Sequence, residues 1–228
     1  MALLGRAAIA MWWDISPEKR TEFEHWHSHE HLPERLAIAG FERGSRWAAA
    51  DGGLGFFVLY ELDDHETLSS PQYLERLNHP TPWSTQLMPH HRNMVRSQCR
   101  VVASSGAGLA RAMLTLRLSP AAGGNGRLRT FLMDQARTIA ARAGTTAAHL
   151  LQTETPQIEL TTEQRIRGGR DPSADWVFLA AGYDPAALQS LRARELSNDA
   201  LVRQGAAEGI QAGLYVLSHA CMSAPASR

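Results

Sequence analysis

The chain reads as an α+β protein: two tandem βαββαβ units that pack sheet to sheet as a barrel within one chain. Three observations predict this. The order of elements repeats after residue 105. Two pairs of segments align across the halves, Arg6-Ala7 with Arg111-Ala112 at an offset of 105, and Phe57 to Asp64 with Val177 to Asp184 at an offset of 120. Finally, strands such as Phe56-Phe57-Val58-Leu59-Tyr60 are apolar on both faces, so both faces must be covered. A lone unit covers one sheet face with helices and leaves the other open. A second unit can close it.

The first unit spans residues 1–105. Residues 4–14 form a strand. Ser16-Pro17-Glu18 starts a helix, with Ser at the N-cap, Pro at the first helical position and an acid in the first turn. The helix runs to about Leu32, and Pro33 breaks or restarts it. Phe41 to Ala50 is the second strand, Asp51-Gly52-Gly53 a hairpin turn, and Gly55 to Leu62 the third strand. A helix over about Glu66 to Leu77 and a helical piece reaching about His90 precede a fourth strand, Met94 to Ala103. This order is ferredoxin-like. Ser104 to Gly108 reads as a linker. The second unit, residues 106–228, repeats the order: strand from Arg111, helix Arg127 to Ala143, strands Ala147 to Thr153 and Trp176 to Gly182, helix Pro185 to Leu196, and strand Ile210 to Ser218. Its surplus length falls within the polar stretch Thr155 to Asp175.

Composition narrows the function. The 228 residues carry a formal net charge of zero with no block of like charge, so no nucleic-acid or anionic-membrane partner is expected. The two cysteines, Cys99 and Cys221, are too few for a disulfide framework. Ala7 to Trp13 is apolar but lacks a small-residue cleavage pattern, so a strand is expected rather than a signal peptide, and the chain is expected in the cytoplasm.

The chemistry gathers at residues 22–35. Four of the ten histidines lie within seven residues there. On an α-helical wheel centred on Phe23, Trp26 falls about 60° to one side, His27 about 40° to the other, and Glu30 about 20° from the centre. His31 sits at the edge of this apolar stripe, while His25 and His29 face away, to solvent. Buried polar groups cost free energy unless paired. His27 and Glu30 are therefore either a satisfied structural pair or part of a pocket lining. In a pocket, Glu30 would orient the imidazole and His27 would serve as general base, with His31 as a second proton carrier. His27 and His31 are also spaced to share a divalent metal, but no third ligand stands out.

Trp26, Tyr60 and Trp83 supply aromatic walls suited to a flat ligand. Arg46 could hold a ligand carboxylate or pair with Glu30, Glu34 or Glu61. Thr115 and Arg117 share a face of the fifth strand and put polarity inside the barrel. Gly123 to Gly126 lacks the residues of a phosphate loop.

The run Glu24 to Leu36, with Gly40-Phe41-Glu42-Arg43-Gly44, Arg46-Trp47, Ser70 to Leu74 and Pro80 to Trp83, resembles the dimeric α/β-barrel superfamily, its EthD-like and uncharacterised members above all. The motifs cover residues 10–95; the second half resembles the family by element order alone. The resemblance implies a small-molecule ligand, and proton-transfer chemistry of isomerase, cyclase or cofactor-free monooxygenase type. A non-catalytic binding or structural role is the alternative. No cofactor is expected, although the superfamily also holds haem users, for which His90 or His91 could supply an axial ligand. A monomer or a homodimer is compatible with two units in one chain.

Overall fold

The computed structural model describes residues 3–223. The first repeat contains β1 (Ala7–Asp14) and a long helical run made of α1 (Pro17–Trp26), a π-helical turn (His27–His31) and α2 (Leu32–Leu36). It continues with β2 (Phe41–Ala49), β3 (Gly55–Leu62), α3 (Pro71–Asn78), α4 (Pro82–Leu87) and β4 (Arg92–Gly106). The second contains β5 (Ala112–Leu118), α5 (Asn125–Ala140), β6 (Thr145–Thr153), α6 (Thr162–Ile166), β7 (Trp176–Gly182), α7 (Pro185–Ala193), α8 (Asn198–Arg203) and β8 (Gln211–Met222).

The strands close an antiparallel barrel in the order β1-β3-β2-β8-β5-β7-β6-β4. The repeat holds to the residue. Ala7 pairs with Leu62 and Ala112 with Gly182, so the offsets of 105 and 120 describe the same register. Phe41 and Thr145 open the hairpin partners, and each is followed by a bulge. Each repeat's last strand also pairs into the other repeat, β4 with β6 and β8 with β2. This double pairing explains why both outrun their expected lengths. Ser104, Ser105 and Gly106 are part of β4, paired with His149, Ala148 and Ala147, and not a linker.

Alternation divides the strands into two faces. Inward residues, among them Trp12, Trp47, Phe57, Leu59, Met113, Leu151, Val177 and Leu179, fill the barrel. Polarity inside it is paired. The Arg43 guanidinium donates to both Glu61 carboxylate oxygens at 2.7 and 2.9 Å, and Trp12 Nε1 donates to Thr115 Oγ1 at 3.2 Å. Arg117 lies over the Trp12 ring. Outward residues meet the helices in two separate layers, one per repeat. No helix among the described residues is long and apolar enough to cross a membrane.

Candidate functional site

The first helical layer contains a cleft between the outer face of β1, β3 and β4 and the α1–α2 run. The π turn determines which side chains face it. Pro33 has no N–H to give to the His29 carbonyl, and the turn before it widens so that Leu32 N–H bonds the His27 carbonyl. One extra residue enters the turn. Buried positions therefore run Phe23, Trp26, His27, then His31, Leu32, Arg35 and Leu36. On an uninterrupted wheel Arg35 would fall about 120° from Phe23; removing one residue's rotation brings it to about 20°. The same shift turns Glu30 outward.

Glu30 therefore does not orient His27. Its Oε1 accepts from Trp26 Nε1 at 3.1 Å and from the hydroxyl of Thr81, the residue that caps α4. The remaining expected residues divide. His27, His31, Trp26 and Tyr60 line the cleft. Arg46 does not: it donates to Ser218 Oγ and to the Glu24 carbonyl, both at 3.0 Å, and takes none of the carboxylates at 30, 34 or 61. Trp83 lies against His25, 5.3 Å between ring centroids, outside the lining.

His27 is 1% exposed, and neither ring nitrogen has a hydrogen-bond partner among the described residues. Burial holds its pKa well below the usual histidine range, with the Arg46 and His91 charges acting the same way. It is a neutral imidazole at pH 7, with one nitrogen free to accept a proton. Trp13, Phe23, Trp26 and His31 surround it, with ring centroids 5.3 to 6.2 Å away. His31 is likewise kept neutral, by burial first and then by Arg35.

Four further buried polar atoms of the lining lack partners among the described residues: Trp13 Nε1, His31 Nδ1, Arg35 Nη1 and the Tyr60 hydroxyl. Native proteins leave few such groups, so their convergence on one cleft marks a place for a polar ligand. Trp13 and Arg35 can only donate there. Burial raises the Tyr60 pKa, which keeps its hydroxyl protonated. The cleft thus favours a ligand rich in oxygen acceptors. The enclosed space is about 40 Å³, and at 10–15 Å³ per water it admits about three waters.

Several lining residues escaped sequence reasoning. Tyr73, Met88, Met94 and Arg96 carry no signal that separates them from ordinary core or surface positions. Arg35, Glu163 and Arg167 do. Pro33 signals a disturbed helix ahead of Arg35, and Thr161-x-x-Gln164 is a capping box announcing α6 within the polar stretch. Glu163 takes the Arg35 guanidinium in a buried ion pair, and Arg167 pairs with Asp171 at 2.8 Å.

Of the two histidines named as possible axial ligands, one is at the site. His91 lines the cleft with Nδ1 held 3.1 Å from the Met88 carbonyl, while His90 lies outside the lining. Among the described residues no three His, Cys, Asp or Glu side chains are arranged to hold a metal ion.

No protein-family model and no curated protein matches the chain. Solved structures do. A protein described as anthrone oxidase-like superposes with a TM-score of 0.69 at 13% identity, covering 96% of this chain and 94% of that one. A candidate monooxygenase from Fusobacterium nucleatum gives 0.63 at 8% identity, covering 96% and 95%. A candidate chlorite dismutase gives 0.57 at 10%, covering 94% and 95%. These likenesses establish the fold: a dimeric α/β-barrel architecture with both units in one chain.

Proposed function

We propose that the chain is an enzyme that removes a proton from a small, flat, apolar carbonyl or phenolic compound, with His27 as the base. The resulting anion would isomerise, cyclise or react with dioxygen. The observation that carries this is the His27 imidazole: neutral, buried, walled by aromatic rings, with both nitrogens unpartnered. A buried histidine kept for structure has its nitrogens bonded; a base must keep one free. The unpartnered donors at Trp13, Tyr60 and Arg35 suit the oxygen on which the anion's charge collects. The histidine-rich run resembles EthD-like members of the superfamily. The likeness to an anthrone oxidase-like protein and to candidate monooxygenases makes anthrone a sensible first probe, acted on in the cytoplasm by a monomer or homodimer.

With anthrone, loss of a ring-CH₂ proton to His27 leaves a stabilised carbanion. Dioxygen oxidises it to anthraquinone, and one water is released. Turnover is read by dioxygen uptake and by exchange of the CH₂ protons in D₂O. His27→Ala should lower both by about 10²–10⁴-fold, the usual contribution of a positioned base. Equal rates for the variant and the parent chain would remove His27 from the chemistry.

A further inference from the structure

The stretch that lengthens the second repeat crosses the mouth of the first repeat's cleft. Both ends are tied to β4. Glu154 N–H donates to the Gln98 carbonyl and Arg96 N–H to the Pro172 carbonyl, each at 2.8 Å, and Ala174 N–H donates to Ser97 Oγ at 3.0 Å. Between the ties lies α6. Thr162 N–H reaches the Asn78 side chain at 3.1 Å in an exposed contact, and Glu163, 5% exposed, places its carboxylate on Arg35 Nη2 inside the cleft.

Three features separate this from a plain structural ion pair. First, Glu163 engages Arg35 through one nitrogen. The other, Nη1, is buried without a partner, as are the Tyr60 hydroxyl and His31 Nδ1 in the same lining. The guanidinium fork is made for two parallel bonds to one carboxylate, and Glu163 does not supply both. Second, Glu163 has another cation in reach. Arg167, at the C-cap of the same short helix, places Nη1, the nitrogen its Asp171 pair leaves free, 3.7 Å from the second Glu163 oxygen. A Glu163 released from Arg35 would not be left as an uncompensated buried charge, which is what normally locks such pairs. Third, the interior of the cleft, with Glu163 and Arg167 in its lining, is about 40 Å³, too small for an aromatic ring, so entry of an aromatic ligand and displacement of this segment go together.

We propose that the Arg35 end of the cleft is a subsite for a carboxylate or similar organic oxyanion, and that Glu163 is a tethered stand-in for that group. The ligand's anion takes both Arg35 nitrogens, Glu163 withdraws to Arg167, and α6 lifts from the mouth. The second repeat thereby supplies a plug for the first repeat's site. This rests on the cleft being a ligand site, and does not depend on His27 acting as a base.

The test uses 1-naphthoate and its neutral relative 1-naphthamide, titrated by calorimetry and by the fluorescence of Trp13 and Trp26. The unmodified chain should prefer the carboxylate. Glu163→Gln should bind naphthoate about tenfold more tightly, because a closed plug lowers apparent affinity by the fraction of time it is open; naphthamide, which needs the same opening but brings Arg35 no anion, should gain less, so the preference for the carboxylate should widen. Arg35→Met should abolish the preference for the carboxylate. Independently of any variant, naphthoate at saturating concentration should speed amide hydrogen exchange over residues 161–171. Unchanged or weaker naphthoate binding by Glu163→Gln, or slower exchange over 161–171, would show Glu163 to be a permanent partner and overturn the proposal. Binding of neither probe to any form would remove the cleft as a ligand site and overturn it as well. Normal naphthoate behaviour with an inactive role for His27 would instead leave the subsite standing and the base assignment lost.

Discussion

In the second repeat, α5 is one continuous helix that lays Leu128, Leu132, Ala136 and Ile139 against Leu116, Leu150 and Phe178. In the first, the helical run is widened by a π turn, and the matching layer holds His27, His31 and Arg35 among Trp13, Trp26 and Tyr60. The strands beneath are in equivalent register. Both repeats thus solve the same packing problem on the same sheet. The second fills the layer with aliphatic side chains at helical spacing. The first leaves buried nitrogens and a hydroxyl without partners, which lowers stability and is hard to account for unless a ligand uses them. A fused pair can divide labour in this way because one half can stabilise the barrel while the other keeps a layer with unpaired polar groups.

Substitution should expose the difference directly. Leu132→Ala in the second layer removes fully buried methyl groups and should cost about 2–5 kcal/mol in denaturant unfolding. His27→Leu in the first layer replaces an unpartnered imidazole with an apolar side chain of similar volume, and should leave stability unchanged or raise it. The reverse order of costs would mean that the first layer is an ordinary core and the second is not.

Acid should act on the first layer and on the barrel interior, and spare the second layer, whose helices α5, α7 and α8 hold no histidine. His149 inside the barrel has its pKa pushed down to about 4 by burial and by Arg43. Burial depresses His27, His31 and His91 in the same direction. Their folded pKa values lie below the unfolded value near 6.5, so between the two the unfolded chain binds more protons. Stability is then full above about pH 6.5 and falls as pH drops toward 4, by about 3 kcal/mol for His149 alone. His149→Gln should flatten the pH dependence of unfolding over that window by as much as about 1.4 kcal/mol per pH unit. An unaltered slope would place the acid sensitivity in the first layer's histidines.

The sheet was legible in the sequence because strand faces alternate with a period of two and the repeat carries its register in recognisable pairs: Ala7 and Ala112, Leu62 and Gly182. The site was half legible. Trp26 and His27 could be found because a helix wheel works up to the first turn that departs from it, His31 because it stood at the edge of the stripe, and Tyr60 because it is a large aromatic on a strand apolar on both faces. Beyond His27 the π turn shifts every position by one, so Glu30 was placed inward, the opposite of what the fold does, and Arg35 was not singled out. The remaining part of the site arrives from 128 residues away, where Glu163 meets Arg35. No local pattern encodes that contact; only the capping box hinted that the stretch was a helix at all.

Glu30 offers the smallest effect and the sharpest check on the shifted register. Its carboxylate ties the indole of Trp26 to the start of α4 through Thr81 and, at 3.5 Å, Ser84. Thr81 and Ser84 also bond each other at 2.9 Å, and Trp26 Nε1 lies 3.3 Å from Ser84 Oγ. Removing Glu30 therefore leaves the hydroxyls and the indole with other partners. Glu30→Ala should cost only about 1 kcal/mol, the worth of a partly compensated hydrogen bond. Glu30→Gln keeps an acceptor at the same place and should be nearly silent in both stability and rate. The pH profile of turnover carries the decision. A carboxylate bonded to the base would raise the imidazole's proton affinity, and its neutralisation would move the acidic limb of the profile to lower pH. With Glu30 turned toward Trp26 and Thr81, that limb should stay where it is in Glu30→Gln; a shift would mean that the α-helical register, with Glu30 beside His27, is the one that acts in solution.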